Sequence, residues 1–497
     1  MLYVAHLTRT NEVQGASSFF LLIAIISLLE IETASRPGIH VSHDSVYYVG
    51  AARELLAGNG YRMEHFDAGM NTAKYPPGYP LAITALGIFG LEPLEGARWV
   101  NILFFTGSVL LLFAIARQQL SRWWIATLPP TLFMLSADLV QLHQSVLTEG
   151  MFMFFTILGF FALSRHLEQP RAEWLVTGGL SIGLAFLSRF AGIMLPPLLL
   201  LVFLLHRRWK DGLIATALSI LPMGCFILRN LIIAGTLSER EAQINWIPFP
   251  KLLGGVEVML NAFSFNAHAT NLRIVEFLLI VLLPGLGLFL DIKQKKRVTP
   301  LTTFLLGFII IYPLFLLTHI TFVQPVTPLD IRLLSPLLPA IYLLIAIGLN
   351  YWVSNYVVLT IYAAINILIG LLFFRETQYL IREIHTWGPG GYTGKEWQAS
   401  PILKAVGELP NDKLVYTNAH DAFYLYYGLT VKSLPLAWTP ESLVAIVEEL
   451  KSANGHLVVS DKVFWRDFKE LEKSLINDHQ QSPTQHLADG RIYSFDE

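Results

Sequence analysis

Long apolar runs separated by short basic or polar breaks fill the first three-quarters of the chain, and the last quarter loses them. A helix needs about 20 apolar residues to cross a bilayer. About eleven runs approach that length, near residues 16–32, 98–116, 123–141, 147–165, 173–188, 190–206, 212–233, 273–291, 301–323, 333–350 and 352–374. The first is short enough to be the apolar core of a signal peptide. Glu30 and Glu32 at its end, with no small-x-small cleavage site, favour a retained anchor, and either reading exports the loop after it. The stretch from Glu173 to His206 holds two tightly turned helices broken around Arg189.

Basic residues set the orientation, because cytoplasmic loops carry the excess of Lys and Arg. Arg117 with Arg122, Arg165 with Arg171, Arg207 with Arg208 and Lys210, and the run Lys293, Lys295, Lys296 and Arg297 fall on alternate loops. The loops 33–97, 234–272 and 324–332, and the C-terminal tail, are then expected outside the plasma (inner) membrane. The connection 350–352 carries no Lys or Arg, so the last hairpin rests on hydropathy alone.

From about Glu376 the apolar runs shorten and charges rise. Residues 413–418 (KLVYTN) and 456–460 (HLVVS) predict buried strands. Residues 441–455 predict an amphipathic helix closed by Gly455, and 466–475 predict another. The glycine-rich 388–394 (GPGGYTG) reads as a flexible link or an ordered loop and lacks the spacing of a phosphate loop. The expected architecture is an α-helical multi-pass membrane protein over 1–375, with a first external loop at 33–97 and a small extracytoplasmic α/β domain at 376–497.

Composition agrees with the hydropathy. The chain is 54% hydrophobic and 14% charged, with a mean hydropathy of +0.51, against roughly 25% charged in soluble domains. The net charge of −2 argues neither for nor against a nucleic-acid partner, and none is expected of a chain this apolar. The single cysteine, Cys225, excludes an internal disulfide, so an exported domain must hold together by packing.

The densest chemistry lies in 43–80, HDSVYYVGAARELLAGNGYRMEHFDAGMNTAKYPPGYP, directly after the first apolar run. Residues 45–60 predict a helix with Asp44 at or near its N-cap and Gly60 past its end, amphipathic and lying along the interface. The Tyr-Pro-Pro-Gly-Tyr-Pro run is a rigid turn that positions Lys74. Each residue also has a purely structural reading. Asp44 can serve as a helix cap, Lys74 as a snorkelling side chain, and Glu149 as a capping carboxylate at a helix entrance. Arg332 can bind lipid headgroups, and Arg189 and Arg229 can satisfy helix-end carbonyls.

The Asp followed by a Tyr-containing helix, the A-R-E-L-L-x-G-x-G-Y segment and K-Y-P-P-G-Y-P resemble the polyprenyl-phosphate-sugar glycosyltransferases of the GT-C superfamily. The resemblance is to the protein-O-mannosyltransferase-like (family 39) and aminoarabinose-transferase-like (family 83) branches. Those enzymes open their first external loop on a catalytic Asp, often followed by Glu, where this chain has Ser45. The aminoarabinose branch has a Lys about thirty residues later, matched here by Lys74, which is 30 residues past Asp44 (74 − 44). Glu149 in SVLTEGMFMFF and Arg332 in RLLSPLLP (332–339), with Asp330 beside it, match later family elements. The resemblance implies a GT-C-like fold of about eleven transmembrane helices. It also implies sugar transfer with inversion on the outer face, from a polyprenyl-phosphate donor to a glycan, lipid or protein acceptor.

Such a donor leaves as a phosphate that needs no protonation. The reaction therefore calls for one base and for positive charge on the departing phosphate. The implied roles are Asp44 as base and Lys74 with Arg332 on the phosphate, joined by Arg189 or Arg229, with Tyr47, Tyr75, Glu149 and Asp330 in support. No cofactor is required, but a divalent metal could share the charge. His40, His43 and His143 lie on the same side as Asp44 and Glu149, and His43 with Glu149 is the candidate ligand pair. Two alternatives stay open: an oligosaccharide ligase of the same fold, and a non-enzymatic lipid or polysaccharide transporter or scaffold. A transporter places ionisable groups at the midplane of several spans, whereas this chain concentrates them in the loop after the first span.

Overall fold

The computed structural model describes residues 2–63, 73–120, 122–237, 244, 246–263, 270–295, 297–322, 329–410, 413–435, 439–463, 468–479 and 482–495. Expectations for the parts of the loops 33–97, 234–272 and 324–332 that fall on 64–72, 238–243, 245, 264–269 and 323–328 lie outside the described residues. The apolar runs form helices, as their composition dictates in a medium that offers no backbone partners. All eleven predicted runs fall on helices, but not as equal spans. Among the described residues, five helices are long and apolar enough to cross a membrane. They lie at Gly15–Ser35, Pro93–Gln119, Glu149–Glu168, Trp209–Ile233 and Pro300–Phe322. The pair Trp123–Met134 and Ala137–His143, bent by 60°, makes a sixth if taken as one span. Ala172–Ser188, Phe190–Leu205 and Leu337–Asn350 are shorter apolar helices. The predicted break at Arg189 is present: the helix stops at Ser188 and a 3-10 turn, Phe190–Met194, leads into Leu195–Leu205.

Helix α1 (Leu2–Ser35) leads into a loop that carries α2 (His43–Leu56) and α3 (Gly78–Gly87) before α4 (Pro93–Gln119). The cap of α2 differs from expectation. Ser42 is the N-cap and forms a capping box with Ser45, so Asp44 sits inside the first turn with its carboxylate released from capping. Ser45 Oγ also donates to the Val146 carbonyl at 2.9 Å. Nor is α2 an exposed helix with one bare apolar face. Residues Ser45–Ala52 are buried, because α2 is covered by α3 and α4 on one side and by the helix His420–Tyr427 on the other.

The last part of the chain builds a five-stranded sheet in the order β2-β1-β3-β5-β4. The strands are β1 (Val415–Thr417), β2 (Lys432–Ser433), β3 (His456–Ser460), β4 (Gln485–Leu487) and β5 (Gly490–Ser494). β2, β1 and β3 run parallel, while β5 and β4 close the edge as an antiparallel hairpin. The two strands expected from sequence are β1 and β3. The short β2, β4 and β5 carry too few apolar residues to stand out. The helix predicted at 441–455 is Pro440–Ser452, and the residue with positive φ that ends it is Asn454 rather than Gly455. The second helix is Lys469–His479, running past the predicted end at 475.

Side chains alternate across the strands. Val415, Val458 and Ile492 face a core that also contains Val46, Val49 and Ala52 of α2, while Tyr416, Leu457, Val459 and Tyr493 face a separate core under the helices Pro440–Ser452 and Lys469–His479. The first loop and the C-terminal sheet thus share one apolar core. The glycine-rich 388–394 is an ordered loop at this seam. Val41 bridges Gly391, Tyr392 N donates to Val41 O at 2.8 Å, and the next residue back, His40, bridges Ser145.

Gly391 has a φ of 59°, and a Cβ there would press on the Val41 carbonyl. Replacing it by Ala should cost about 1–3 kcal/mol from the left-handed backbone alone, with the steric conflict in addition. Thermal unfolding of purified Gly391→Ala should show a lowered midpoint, and an unchanged midpoint would remove this loop from the seam.

Candidate active site

Four segments meet beside the start of α2. The first turn of α2 presents Asp44, whose side chain is 22% exposed. The Pro-rich turn presents Tyr75, whose hydroxyl donates to Asp44 Oδ1 at 2.5 Å. The short helix Ile331–Leu334 presents Arg332. It is capped by Asp330, whose Oδ1 accepts from Leu333 N at 3.1 Å, and pinned by Tyr312, whose hydroxyl donates to the Leu333 carbonyl at 2.9 Å. The helix Glu149–Glu168 opens on Glu149 itself, fully buried.

Arg332 joins the acids. Its Nη2 lies 2.6 Å from Asp44 Oδ2 and its Nε 2.5 Å from Glu149 Oε1. Arg189, at the break between two apolar helices, pairs with the same Glu149 oxygen and donates to Thr148 Oγ1 at 3.2 Å. One buried carboxylate therefore sits between two guanidiniums, the arrangement that an ionised group needs away from water. Burial pushes the Asp44 carboxyl up, but Arg332 and the Tyr75 hydroxyl outweigh it and hold the group below the usual carboxylate range. Burial and the neighbouring Asp44 charge push the Tyr75 phenol well up, so it stays a hydrogen-bond donor.

Asp44, Tyr75, Arg189 and Arg332 line an open cleft. Its polar wall holds Asp44, Tyr75, Arg189, His319, Asp330 and Arg332, and Phe190, Phe315, Leu316 and Leu333 give it an apolar side. Tyr48 backs it, packed edge-on against Tyr75 with ring centroids 5.3 Å apart.

The other sequence candidates lie elsewhere. Lys74 does not line the cleft; its Nζ donates to Tyr47 Oη at 2.8 Å and lies 4.2 Å above the Tyr47 ring. Arg229 reaches the Tyr61 carbonyl and Asn230. His40 Nδ1 meets the Pro389 carbonyl at 3.2 Å, and burial lowers its basicity. His143 is buried between Phe105 and Phe133 with Nδ1 on the Leu139 carbonyl. The expected ligand pair of His43 and Glu149 is not formed. Glu149 is held by its two arginines, and His43 turns to Asp421 at 2.6 Å. Sequence reasoning left Arg189 open between a helix-end residue and an added positive charge for the phosphate. The overlooked signal was a cation stranded between apolar helices. Tyr48 and His319 carried no motif.

Residues 18–234 match the family model of dolichyl-phosphate-mannose-protein mannosyltransferases. No curated protein sequence matches the chain. Among solved structures, ArnT from Cupriavidus metallidurans bound to undecaprenyl phosphate superposes with a TM-score of 0.58 at 13% identity, covering 97% of this chain and 98% of that one. The archaeal oligosaccharyltransferase AglB from Archaeoglobus fulgidus, in complex with an inhibitory peptide and a dolichol-phosphate, gives 0.55 at 12% identity, over 90% of this chain and 70% of that one. The mycobacterial arabinofuranosyltransferase AftD gives 0.57 at 12% identity, over 97% of this chain and 42% of that one.

The Glu149 cluster makes a direct prediction. Glu149→Gln or Arg189→Met should each destabilise the fold by roughly 3–5 kcal/mol, the cost of orphaning a buried charge. The double variant should lose less than the sum of the two. Denaturation of the three purified proteins checks this, and additive losses would mean that the two groups are not coupled. The apolar helices, the fold shared with ArnT and AglB and the family match over 18–234 make the chain a multi-pass membrane protein similar in its first half to the dolichyl-phosphate-mannose-protein mannosyltransferases.

Proposed function

We propose that the chain transfers a sugar from a polyprenyl-phosphate donor to an acceptor hydroxyl or amine, with inversion, in the cleft that Asp44 and Arg332 share. The observation that carries this reading is the Asp44–Arg332–Glu149 chain of contacts at the wall of a half-apolar cleft. The apolar side suits the first isoprene units and the guanidiniums suit the phosphate. ArnT and AglB, with which the fold is shared, are described with undecaprenyl phosphate and dolichol-phosphate, which supports the donor class.

In the step itself, the acceptor oxygen or nitrogen attacks the anomeric carbon from the side opposite the phosphate. The carbon–oxygen bond to phosphate breaks, polyprenyl phosphate leaves with the electron pair, and the acceptor proton passes to Asp44. Arg332 gives this sequence an order. Before donor binds, Arg332 holds Asp44 and keeps it a weak base. A phosphate in the cleft competes for the same guanidinium, and as Arg332 turns to it Asp44 regains basicity. Tyr75 keeps the carboxylate aimed throughout. Glu149 anchors Arg332 and Arg189 so that both cations stay at the wall. Lys74, held on Tyr47 outside the cleft wall, adds only a more distant positive charge.

The loop 33–97 and the tail are assigned to the extracytoplasmic face of the plasma membrane, supported by the alternation of basic loops. In this reading 1–375 is the catalytic unit, and 376–497 is a second unit covering α2.

Asp44→Asn should fold, bind donor and lose transfer by ~10²–10⁴-fold, the scale of general-base loss. Arg332→Met should weaken donor binding by roughly tenfold to a hundredfold, since a charge-assisted bond is worth ~1.5–3 kcal/mol. Lys74→Met should weaken it less. Titration of a polyprenyl-phosphate sugar into the purified proteins measures the binding. Near-normal turnover in Asp44→Asn removes it as base, and equal affinity of wild type and Arg332→Met removes the phosphate site.

For orientation, Asn59→Cys and Ser452→Cys, each in a Cys225→Ser background, should both react with an impermeant maleimide added outside intact cells. Reaction of only one would place the loop and the tail on opposite faces.

A further inference from the structure

A second cluster of ligand-type side chains lies at the seam between α2 and the C-terminal sheet. His43, His420 and Asp421 each offer a donor atom, and these atoms all lie within 4.8 Å of one another. His43 Nδ1 stands 2.6 Å from Asp421 Oδ2, and His420 Nε2 stands 3.3 Å from Asp421 Oδ1. The two segments that meet are 378 residues apart in sequence. His420 and Asp421 are adjacent at the start of the helix His420–Tyr427 and are 1% and 2% exposed. They are buried because Ala422 and Phe423 lock that helix into the core shared with α2. The His43 side chain is 38% exposed, which leaves a way in. Tyr392 donates its hydroxyl to Asp421 Oδ2 at 2.9 Å, an orienting contact of the kind that surrounds metal ligands.

We propose that His43, His420 and Asp421 form a binding site for a zinc-type divalent cation that clamps the first loop to the C-terminal sheet. Two imidazole nitrogens and one carboxylate oxygen are the donor set of a tetrahedral zinc site with one position open. Magnesium and calcium prefer all-oxygen shells and are poor fits to it. Zinc–ligand distances near 2.0–2.2 Å place tetrahedral donors roughly 3.3 Å apart, which is the present spacing of His420 and Asp421. The His43–Asp421 contact is a hydrogen bond, and the ion takes the place of its proton as the exposed imidazole draws back by under about 1 Å. His43 directly precedes Asp44, so the clamp sets the first turn of α2 against Arg332. The site stands apart from sugar transfer and does not depend on that reading.

The test uses the full-length protein in detergent, stripped with a chelator and titrated with zinc chloride against a chromogenic competitor. A single equivalent of zinc should bind, magnesium chloride should not displace it, and zinc should raise the unfolding midpoint. His420→Gln and His43→Ala should each weaken zinc binding by more than about 100-fold, and Tyr392→Phe by about 10–100-fold, the range for loss of an outer partner. His43 is half-exposed, so His43→Ala decides the matter if His420→Gln does not fold. Absence of stoichiometric zinc in the wild type, or wild-type zinc affinity in His43→Ala, overturns the proposal.

Discussion

The buried Glu149 carboxylate is the constraint around which the membrane-side half of the site is organised. With no exposure to water it must be paired, and its partners are Arg189 and Arg332. Each partner comes from a different place in the chain: one from a break between apolar helices, the other from a short capped helix after the span Pro300–Phe322. Pairing them with the start of the helix Glu149–Glu168 fixes three segments relative to one another. With Nε on Glu149, Arg332 turns Nη2 to Asp44, which ties in the first loop. A buried charge is a costly way to gain stability. Here it holds two guanidiniums together beside the cleft.

The first loop is held from the opposite side by ordinary packing and backbone bridges. Ser42 and Ser45 satisfy the start of α2 between themselves, so the Asp44 carboxylate is not used for capping. His40 and Val41 pair with Ser145 and Gly391, stitching the loop to a helix entrance and to the C-terminal segment. Tyr48, Tyr75 and Tyr79 stack edge to face behind the cleft, and Tyr79 anchors to Asn101 Oδ1 at 2.8 Å. The aromatic content of this loop is therefore structural as well as functional. Rigid rings supply packing area at little entropic cost, and their hydroxyls reach polar partners.

The C-terminal sheet belongs to the same arrangement. A sheet covered on both faces by helices needs apolar residues at every strand position, and β3, HLVVS, is buried throughout. One of its faces rests on the core of α2. Asp44 is thus supported from the membrane bundle through Arg332 and from the sheet through α2.

Much of this was legible in the chain. Helix-length apolar runs, the polar segment after the first of them, the strands β1 and β3 and the break at Arg189 follow from local composition and period, which do not depend on the rest of the molecule. The resemblance carried by 43–80, SVLTEGMFMFF and 332–339 pointed to the residues that meet, Asp44, Tyr75, Glu149 and Arg332. What the sequence could not determine is who pairs with whom. Lys74 looked like a phosphate ligand by spacing, yet the turn places it on Tyr47. Arg189 looked like a helix-end residue, yet Glu149 claims it. His43 faces Asp421, a partner from the far end of the chain. These choices depend on the desolvation of charges at contacts between distant segments, an energy that exists only once the helices have packed.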